Sequence, residues 1–376
     1  SRNPRVLVVP AGSLAAGTTY AFRVVGAMTD SPAVNNSAAV AVQVGSQDLV
    51  ARVAGGASRQ AGRDDAFTLD GSGSFDPDGD AEVLAYAWSC TDSGGTDCGV
   101  ALAAGASATV PARALALGTY TFTLAVSKGG RSASASVAVE VTAGAPPAVS
   151  IASLAKDKYN SGDGFAALVA TAASSGGLSV STVWTASSSD VAAPFVVAGG
   201  GSASAVAGRL RAVVGLGWLT EGSAYKLRLT ATDSDGSSAY AEVSLAMNTA
   251  PSSGSVEVAP PNGFALETAF ALSALNWVDE DLPFTYIFGT AAVLEDGSVD
   301  GNDAAAFGGA ADGSSYSGVT LAAGPAEANH TVGAFVEVVD SYGASGSATG
   351  AVRVRNRPLS VKQLAQISAN KTKEQL

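Results

Sequence analysis

Four stretches of the chain alternate apolar and polar residues in one pattern: SLAAGTTYAFRVVGA (13–27), ALALGTYTFTLAVSK (114–128), WLTEGSAYKLRLTAT (218–232) and TLAAGPAEANHTVGAFVEV (320–338). The rows Tyr20, Phe22, Val24; Tyr120, Phe122, Leu124, Val126; Tyr225, Leu227, Leu229; and Val332, Ala334, Val336, Val338 repeat at every second position. Successive side chains of a strand point to opposite faces, so this period predicts half-buried antiparallel strands. Each is followed by a polar turn, as in SKGGRS, DSDGSS and DSYGAS, and by a second alternating run: VAVQV (40–44), VAVEV (137–141), AEVSLAM (241–247) and AVRVR (351–355). Gly supplies the positive φ that tight hairpins need. The pattern predicts the closing hairpin of a β-sandwich, written four times.

Each stretch opens with Leu-x-x-Gly, at Leu14/Gly17, Leu115/Gly118, Leu219/Gly222 and Leu321/Gly324, and the leucines stand 101, 104 and 102 residues apart. One β-sandwich domain takes about 100 residues, so the repeat unit is a domain. Tyr20, Tyr120 and Tyr225 fall where sandwiches often keep a tyrosine with its ring in the core and its hydroxyl on nearby backbone; the fourth copy has none there. The expected divisions are 1–45, the C-terminal part of a sandwich; 46–144, 145–249 and 250–356, complete sandwiches; and 357–376, a short helical linker carrying Leu359, Val361, Leu364, Ala365 and Ile367. The fold class is therefore all-β, tandem immunoglobulin-like or fibronectin III-like sandwiches joined by Pro-bearing linkers, TAGAPPAV and MNTAPSSG. A segment that starts with half a sandwich is expected to be a piece of a longer chain.

Charge and composition narrow the functions. With 21 Lys and Arg against 33 Asp and Glu, the formal charge is −12, which disfavours a phosphate-backbone partner, so no nucleic acid is expected. No run reaches the roughly 18 apolar residues that suggest a membrane helix, and SRNPRVLVVPAG lacks a signal-peptide core, so a soluble segment is expected. The single histidine, His330, leaves no Ser–His–Asp triad, Cys–His dyad or two-His zinc site within one copy. No enzyme is expected. Trp88, Trp184, Trp218 and Trp277 lie within or beside alternating strands and are expected in cores.

The densest acidic stretch is LDGSGSFDPDGDAEVLAYAWSC (69–90), and FALSALNWVDEDLPFTYIFG (270–289) lays out in parallel with it: an apolar strand, an aromatic (Phe75, Trp277), an acidic loop, and an alternating strand. Asp-Pro and Asp-Gly are strong turn formers. Asp76, Asp78 and Asp80 at alternate positions also look like the start of a calcium loop, but Ala87 stands where an EF-hand needs its bidentate acid. A solvated turn is favoured, and weak calcium at Asp76, Asp78 and Asp80 stays open as the one cofactor reading. Asp279, Glu280 and Asp281 are read in the same way.

The string GSGSFDPDGD followed by Leu84-x-Tyr86-x-Trp88-x-Cys90 resembles the PKD and receptor-for-egg-jelly (REJ) repeats of polycystin-like surface proteins, and residues 248–289 are similar to a block of the REJ module. The resemblance implies an extracellular multi-sandwich segment that transmits force or binds surface ligands. It places the chain outside the cell or on its surface, a ciliary or flagellar one included. Other extracellular proteins, glycans and neighbouring domains of the parent are its implied partners. The family's autoproteolysis and channel activity do not carry over, since neither a cleavage motif nor a membrane span is present. In a chain of this class Cys90 and Cys98, at a strand end, read as one local disulfide. The sequons at Asn35, Asn329 and Asn370 fit a secreted glycoprotein. The reading is a non-catalytic extracellular stalk in adhesion, ligand binding or force transmission; its alternative is a structural subunit of a surface fibre or flagellar hair.

Overall fold

A computed structural model describes residue 9 and residues 13–79, 83–186, 195–197, 208–294 and 298–358. Within them lie twenty-four strands and one 3-10 turn, so the chain is all-β. The expected C-terminal helix falls on residues 359–376, outside the described residues, and Arg357 and Pro358 before it belong to no helix. The chain divides into two compact units. One comprises Ser1–Asp157, Phe165–Gly215 and Ala224–Leu245; the other comprises Lys158–Gly164, Leu216–Ser223 and Ala246–Leu376.

The first unit opens with a hairpin of β1 (Thr19–Met28) and β2 (Ser31–Gln43), paired from Thr19↔Gln43 onward. Tyr20 and Phe22 are half-buried, but the rest of the expected half-buried rows stays open to solvent toward the turn, with Val24 64% and Val40 60% exposed. Next come β3 (Ser58–Gly62), β4 (Phe67–Asp70), β5 (Ala85–Asp92), β6 (Ser107–Val110), β7 (Gly118–Lys128) and β8 (Arg131–Thr142). The β3-β8-β7-β5 sheet packs on the β4-β6 pair around Leu69, Val110, Phe122, Val137 and Val139. Of these, Phe122, Val137 and Val139 lie in the alternating runs that the sequence pattern picks out.

The following stretch contributes β9 (Ala148–Ile151), β10 (Lys158–Tyr159), β11 (Phe165–Ala173), β12 (Val180–Ala186), β13 (Phe195–Val197), β14 (Gly208–Gly215), β15 (Ala224–Asp233) and β16 (Ser238–Met247). Strands β13-β14-β11-β9 make one sheet, and β12-β15-β16 belong to another. Inward rows Leu168, Ala170, Ala172 and Leu227, Leu229, Ala231 are buried.

Strand β3 joins the two groups. It pairs in parallel with β8, from Ser58↔Ala138 to Gly62↔Thr142, and antiparallel with β16 through Arg59↔Ala241 and Ser58↔Glu242. One sheet therefore runs β12-β15-β16-β3-β8-β7-β5. The approach needs glycine at position 56: its φ is +93°, and a Cβ there would lie 2.1 Å from the Glu242 carbonyl oxygen.

In the second unit β10 pairs with Ala246 and Met247. It continues with β17 (Ser255–Ala259), β18 (Asn262–Phe264), β19 (Ala269–Leu275), β20 (Thr285–Val293), β21 (Val299–Ala306), β22 (Ser315–Thr320), β23 (Thr331–Val339) and β24 (Ser345–Arg355). Sheets β17-β19-β22 and β18-β24-β23-β20-β21 enclose Phe270, Leu272, Phe288, Val336, Val338 and Val354.

The Leu-x-x-Gly turns share a device and then vary it. Tyr120 donates its hydroxyl to the Ala116 carbonyl at 3.2 Å, and Tyr20 accepts the Ala15 amide at 2.8 Å. In the fourth copy His330, itself at φ 60°, sets its Nδ1 3.2 Å from the Gly324 carbonyl. The lone histidine thus braces the turn that a tyrosine braces elsewhere. Trp88 donates to the Gly105 carbonyl at 2.9 Å and packs in the core, and Trp277 is partly buried. Trp218, expected in a core, is 82% exposed. It stands in the turn after β14, where Leu216 and Leu219 take the inward positions and direct the indole outward.

Candidate functional site

Both acidic loops are built by one local geometry. After β4 the chain returns to pair Phe75 with Val50, and Asp76 then accepts the Asp78 amide on Oδ1 at 3.1 Å. After β19 it pairs Val278 with Ser252, and Asp279 accepts the Asp281 amide at 2.8 Å. Asp side chains that bond an amide two residues on make such turns without backbone partners. The shared bridge matches Phe75 with Val278, which corrects the alignment of Phe75 with Trp277 by one residue. Trp277, one residue earlier, instead lays its indole against the Gly254 backbone.

What faces each loop comes from the closing hairpin. The inward row of β7 runs Phe122, Leu124, Val126 and ends in Lys128, 5% exposed; that of β23 runs Ala334, Val336, Val338 and is continued by Asp340, 6% exposed. In the same place after Leu227, Leu229 and Ala231 stands Asp233, 8% exposed. A charge at the end of an apolar row must find a partner there.

In the first unit the partners are cations of the chain. Lys128 Nζ lies 2.8 Å from Asp76 Oδ2, with 1% and 6% of the two side chains exposed. Arg131, at the start of β8, donates to both Asp76 oxygens at 2.9 and 2.6 Å and to Asp78 at 3.0 Å. The Gln47 amide donates to Asp78 at 3.1 Å, and Arg131 donates to the Gln47 carbonyl at 2.6 Å. Hydrogen bonds from Arg131, then Lys128, hold the Asp76 carboxyl well below the usual carboxylate range. Two acids meet two cations, and Asp80 lies outside the described residues.

In the second unit the same position is acidic. One oxygen each from Asp279, Asp281 and Asp340 lies within 4.8 Å of the others. Asp340 accepts the Tyr342 and Ala344 amides on Oδ1 at 2.8 and 3.0 Å, and the Asn248 Nδ2 on Oδ2 at 2.8 Å. Lys158 on β10 donates to both Asp281 oxygens at 2.9 and 2.7 Å and to Glu280. Burial works against the Lys158 charge, but its hydrogen bonds to Asp281 and Glu280 outweigh it and hold its pKa above the ordinary lysine value. Asn160 ties the arrangement together, accepting from Asn248 at 3.0 Å and donating to the Tyr342 carbonyl at 2.9 Å.

Of the remaining sequence-predicted residues, Cys90 and Cys98 form a disulfide with a Cα separation of 5.6 Å. Cys90 is buried in the β4-β6 core, and the bond closes the turn that follows β5. Asn35 on β2 and Asn329 are exposed, and Asn370 lies outside the described residues. Lys128, Arg131, Lys158, Asn248 and Asp340 escape the sequence reading. The signal for Lys128 and Asp340 is a charge that continues an inward row, which needs a polar partner there, while nothing in the sequence says whether that partner is a counter-charge or backbone amides.

Paired sheets, a local disulfide and hairpin-braced acidic turns define an all-β, sandwich-built protein. A family model described as REJ domain matches residues 2–375, and the chain belongs to that family. The chain is similar to solved structures at low identity. For the Clostridium thermocellum CbhA fibronectin(III)-like modules identity is 16%, with 52% of this chain and 94% of that one covered and a TM-score of 0.20. For zebrafish RET cadherin-like domains 1 to 4 the values are 8%, 73%, 66% and 0.21. For Escherichia coli alpha-2-macroglobulin activated by porcine elastase they are 9%, 74%, 29% and 0.25. No curated protein sequence matches.

Proposed function

We propose that this chain is a non-catalytic, extracellular segment of a polycystin-like surface protein, built of tandem immunoglobulin- or fibronectin-like sandwiches that bear tension and present surfaces to other proteins or glycans. The observation that carries the reading is the REJ match over residues 2–375. The disulfide and the exposed sequons at Asn35 and Asn329 support an extracellular setting. The engagement of the single histidine with a backbone carbonyl supports a structural chain over a catalytic one. Strand β3, hydrogen-bonded to β8 on one side and β16 on the other, supplies a continuous main-chain path for load.

Single-molecule extension of the chain held at its two ends tests the mechanical part. Discrete unfolding events are expected, each releasing at least one module of about 100 residues, or roughly 330–360 Å of extended chain. A smooth extension without force peaks would overturn it.

A second reading, a subunit that assembles into a surface fibre or flagellar hair, draws on the β1-β2 hairpin, whose apolar residues Val24, Val25, Val34 and Val40 are 54–64% exposed. Sedimentation velocity across a concentration series separates the two. A constant monomer favours the tension-bearing segment, and concentration-dependent growth that Val24→Lys abolishes favours the fibre.

A further inference from the structure

The two acidic turns differ in what ends the inward row of the hairpin facing them, and the difference leaves a charge unbalanced. In the first unit Asp76 and Asp78 each have a cation of the chain against them, Lys128 and Arg131. In the 250–356 module Asp279, Asp281 and Asp340 have only Lys158 beside them, and Lys158 also serves Glu280, whose side chain is 78% exposed. Counting the three aspartates against Lys158, the cluster keeps a charge of −2. Asp340 is 6% exposed and the Asp281 side chain 10%, so water screens little of it.

Geometry and a second, separate observation say what balances it. Oxygens bound to one calcium at 2.3–2.6 Å stand no more than about 5 Å apart; the three aspartate oxygens are all within 4.8 Å of one another. Asn248, 1% exposed, abuts the cluster through its 2.8 Å bond to Asp340 Oδ2, yet its carbonyl Oδ1 has no hydrogen-bond partner. A buried acceptor without a donor calls for a partner, and a bound cation is one that the neighbouring carboxylates would also accept. Its Nδ2 faces the cluster, donating to Asp340 and to Asn160; rotating this amide by half a turn exchanges its oxygen and nitrogen, gives up those two bonds and sets a carbonyl oxygen against Asp340.

We propose that Asp279, Asp281, Asp340 and the Asn248 carbonyl bind one calcium ion at the end of β23. The donors are all oxygen, three of them anionic, which suits a hard divalent cation and not zinc or copper. In the 46–144 module the Lys128 ammonium fills the corresponding place, so the fold balances that position with a side chain in one module and with a metal in the other. The sequence reading put weak calcium first at Asp76, Asp78 and Asp80 and read Asp279, Glu280 and Asp281 in the same way; the site proposed here keeps Asp279 and Asp281, leaves out Glu280 and adds Asp340 and Asn248.

The test is calorimetric titration of the full chain with calcium chloride after chelation, with thermal unfolding in parallel. One site is expected, with a Kd in the range of about 10⁻⁴–10⁻³ M that extracellular modules show, and a melting temperature that rises with calcium. Asp340→Lys, which copies Lys128 into this module, is expected to abolish the heat. Because that variant risks misfolding, Asp279→Asn serves beside it: it preserves size and the turn acceptor, and at least a tenfold loss of affinity is expected. The proposal fails if about 10 mM calcium gives neither heat nor a melting shift. It fails equally if Asp279→Asn binds as the parent does, or if Asp78→Asn removes the signal while Asp279→Asn keeps it.

Discussion

Lys128 Nζ stands 2.8 Å from Asp76 Oδ2, with 1% and 6% of the two side chains open to solvent. Removing one member of such a pair leaves the other buried with reduced compensation. Lys128→Met, which keeps the length of the side chain, is therefore expected to destabilise the first unit clearly in urea. Arg113→Ala is the control: it breaks the Arg113–Asp64 pair, whose side chains are 73% and 43% exposed, and should cost less than about 1 kcal/mol. Equal losses in the two variants would contradict the buried pairing.

The same carboxylate sets an acid limit. The Asp76 pKa is lowered in the folded chain by Arg131 and Lys128, whereas in the unfolded chain it is about 3.9. A depressed folded pKa contributes stability that is present above the unfolded value and lost as pH falls through the folded one. The urea midpoint of this module should change little on this account above about pH 5 and fall steadily below about pH 4. Asp76→Asn should lower the plateau and flatten the acid slope. A slope unchanged in that variant would show that other groups set the limit.

Much of this architecture is written in the sequence, and the exceptions have physical causes. Period-two rows at Tyr120–Val126 and Val332–Val338 place strands and inward faces correctly because alternation and burial are one property of a pleated strand. The rows do not reveal that they continue into Lys128 and Asp340, since a charged residue after an apolar row looks like the start of a surface turn. Strand β3, SRQAG, has no apolar row at all; its place between β8 and β16 depends on two partners about 80 and 180 residues further on. Asn248 is equally silent in sequence. An Asn in a Pro-bearing linker reads as a turn former, and only the fold brings it to Asp340.

The Cys90–Cys98 bond spans a sequence separation of 8. Thiol titration of the unreduced, denatured chain should find no free thiol. Loop-closure entropy for so short a span assigns it about 2.5 kcal/mol, so reduction should shift unfolding of the 46–144 module by about that amount. Two reactive thiols before reduction would contradict the bond, and an unchanged transition after it would contradict its contribution.

Two glycines grip Trp277 in different ways, and the difference gives a discriminating double-mutant cycle. A Cβ on Gly254 would lie 2.0 Å from Trp277 Cδ2 and 2.1 Å from Cε2, so the indole lies directly against that backbone. A Cβ on Gly346 would lie 1.9 Å from the Pro251 carbonyl oxygen as well as 2.9 Å from Trp277 Cζ3. Backbone cannot step aside as a side chain can. Gly254→Ala should cost at least about 1–3 kcal/mol through overpacking, and Gly346→Ala at least as much. Trp277→Ala alone should cost about 3–5 kcal/mol by opening the core of the 250–356 module. In the Trp277→Ala background the methyl of Gly254→Ala enters vacated space, so its cost should largely vanish and the two changes should couple strongly. Gly346→Ala should remain costly in that background, because the Pro251 carbonyl is still there. If both glycine changes kept their full cost without the indole, the contact between Trp277 and Gly254 would not be what requires glycine at position 254; if both were relieved, the Pro251 carbonyl would not be the obstacle at position 346.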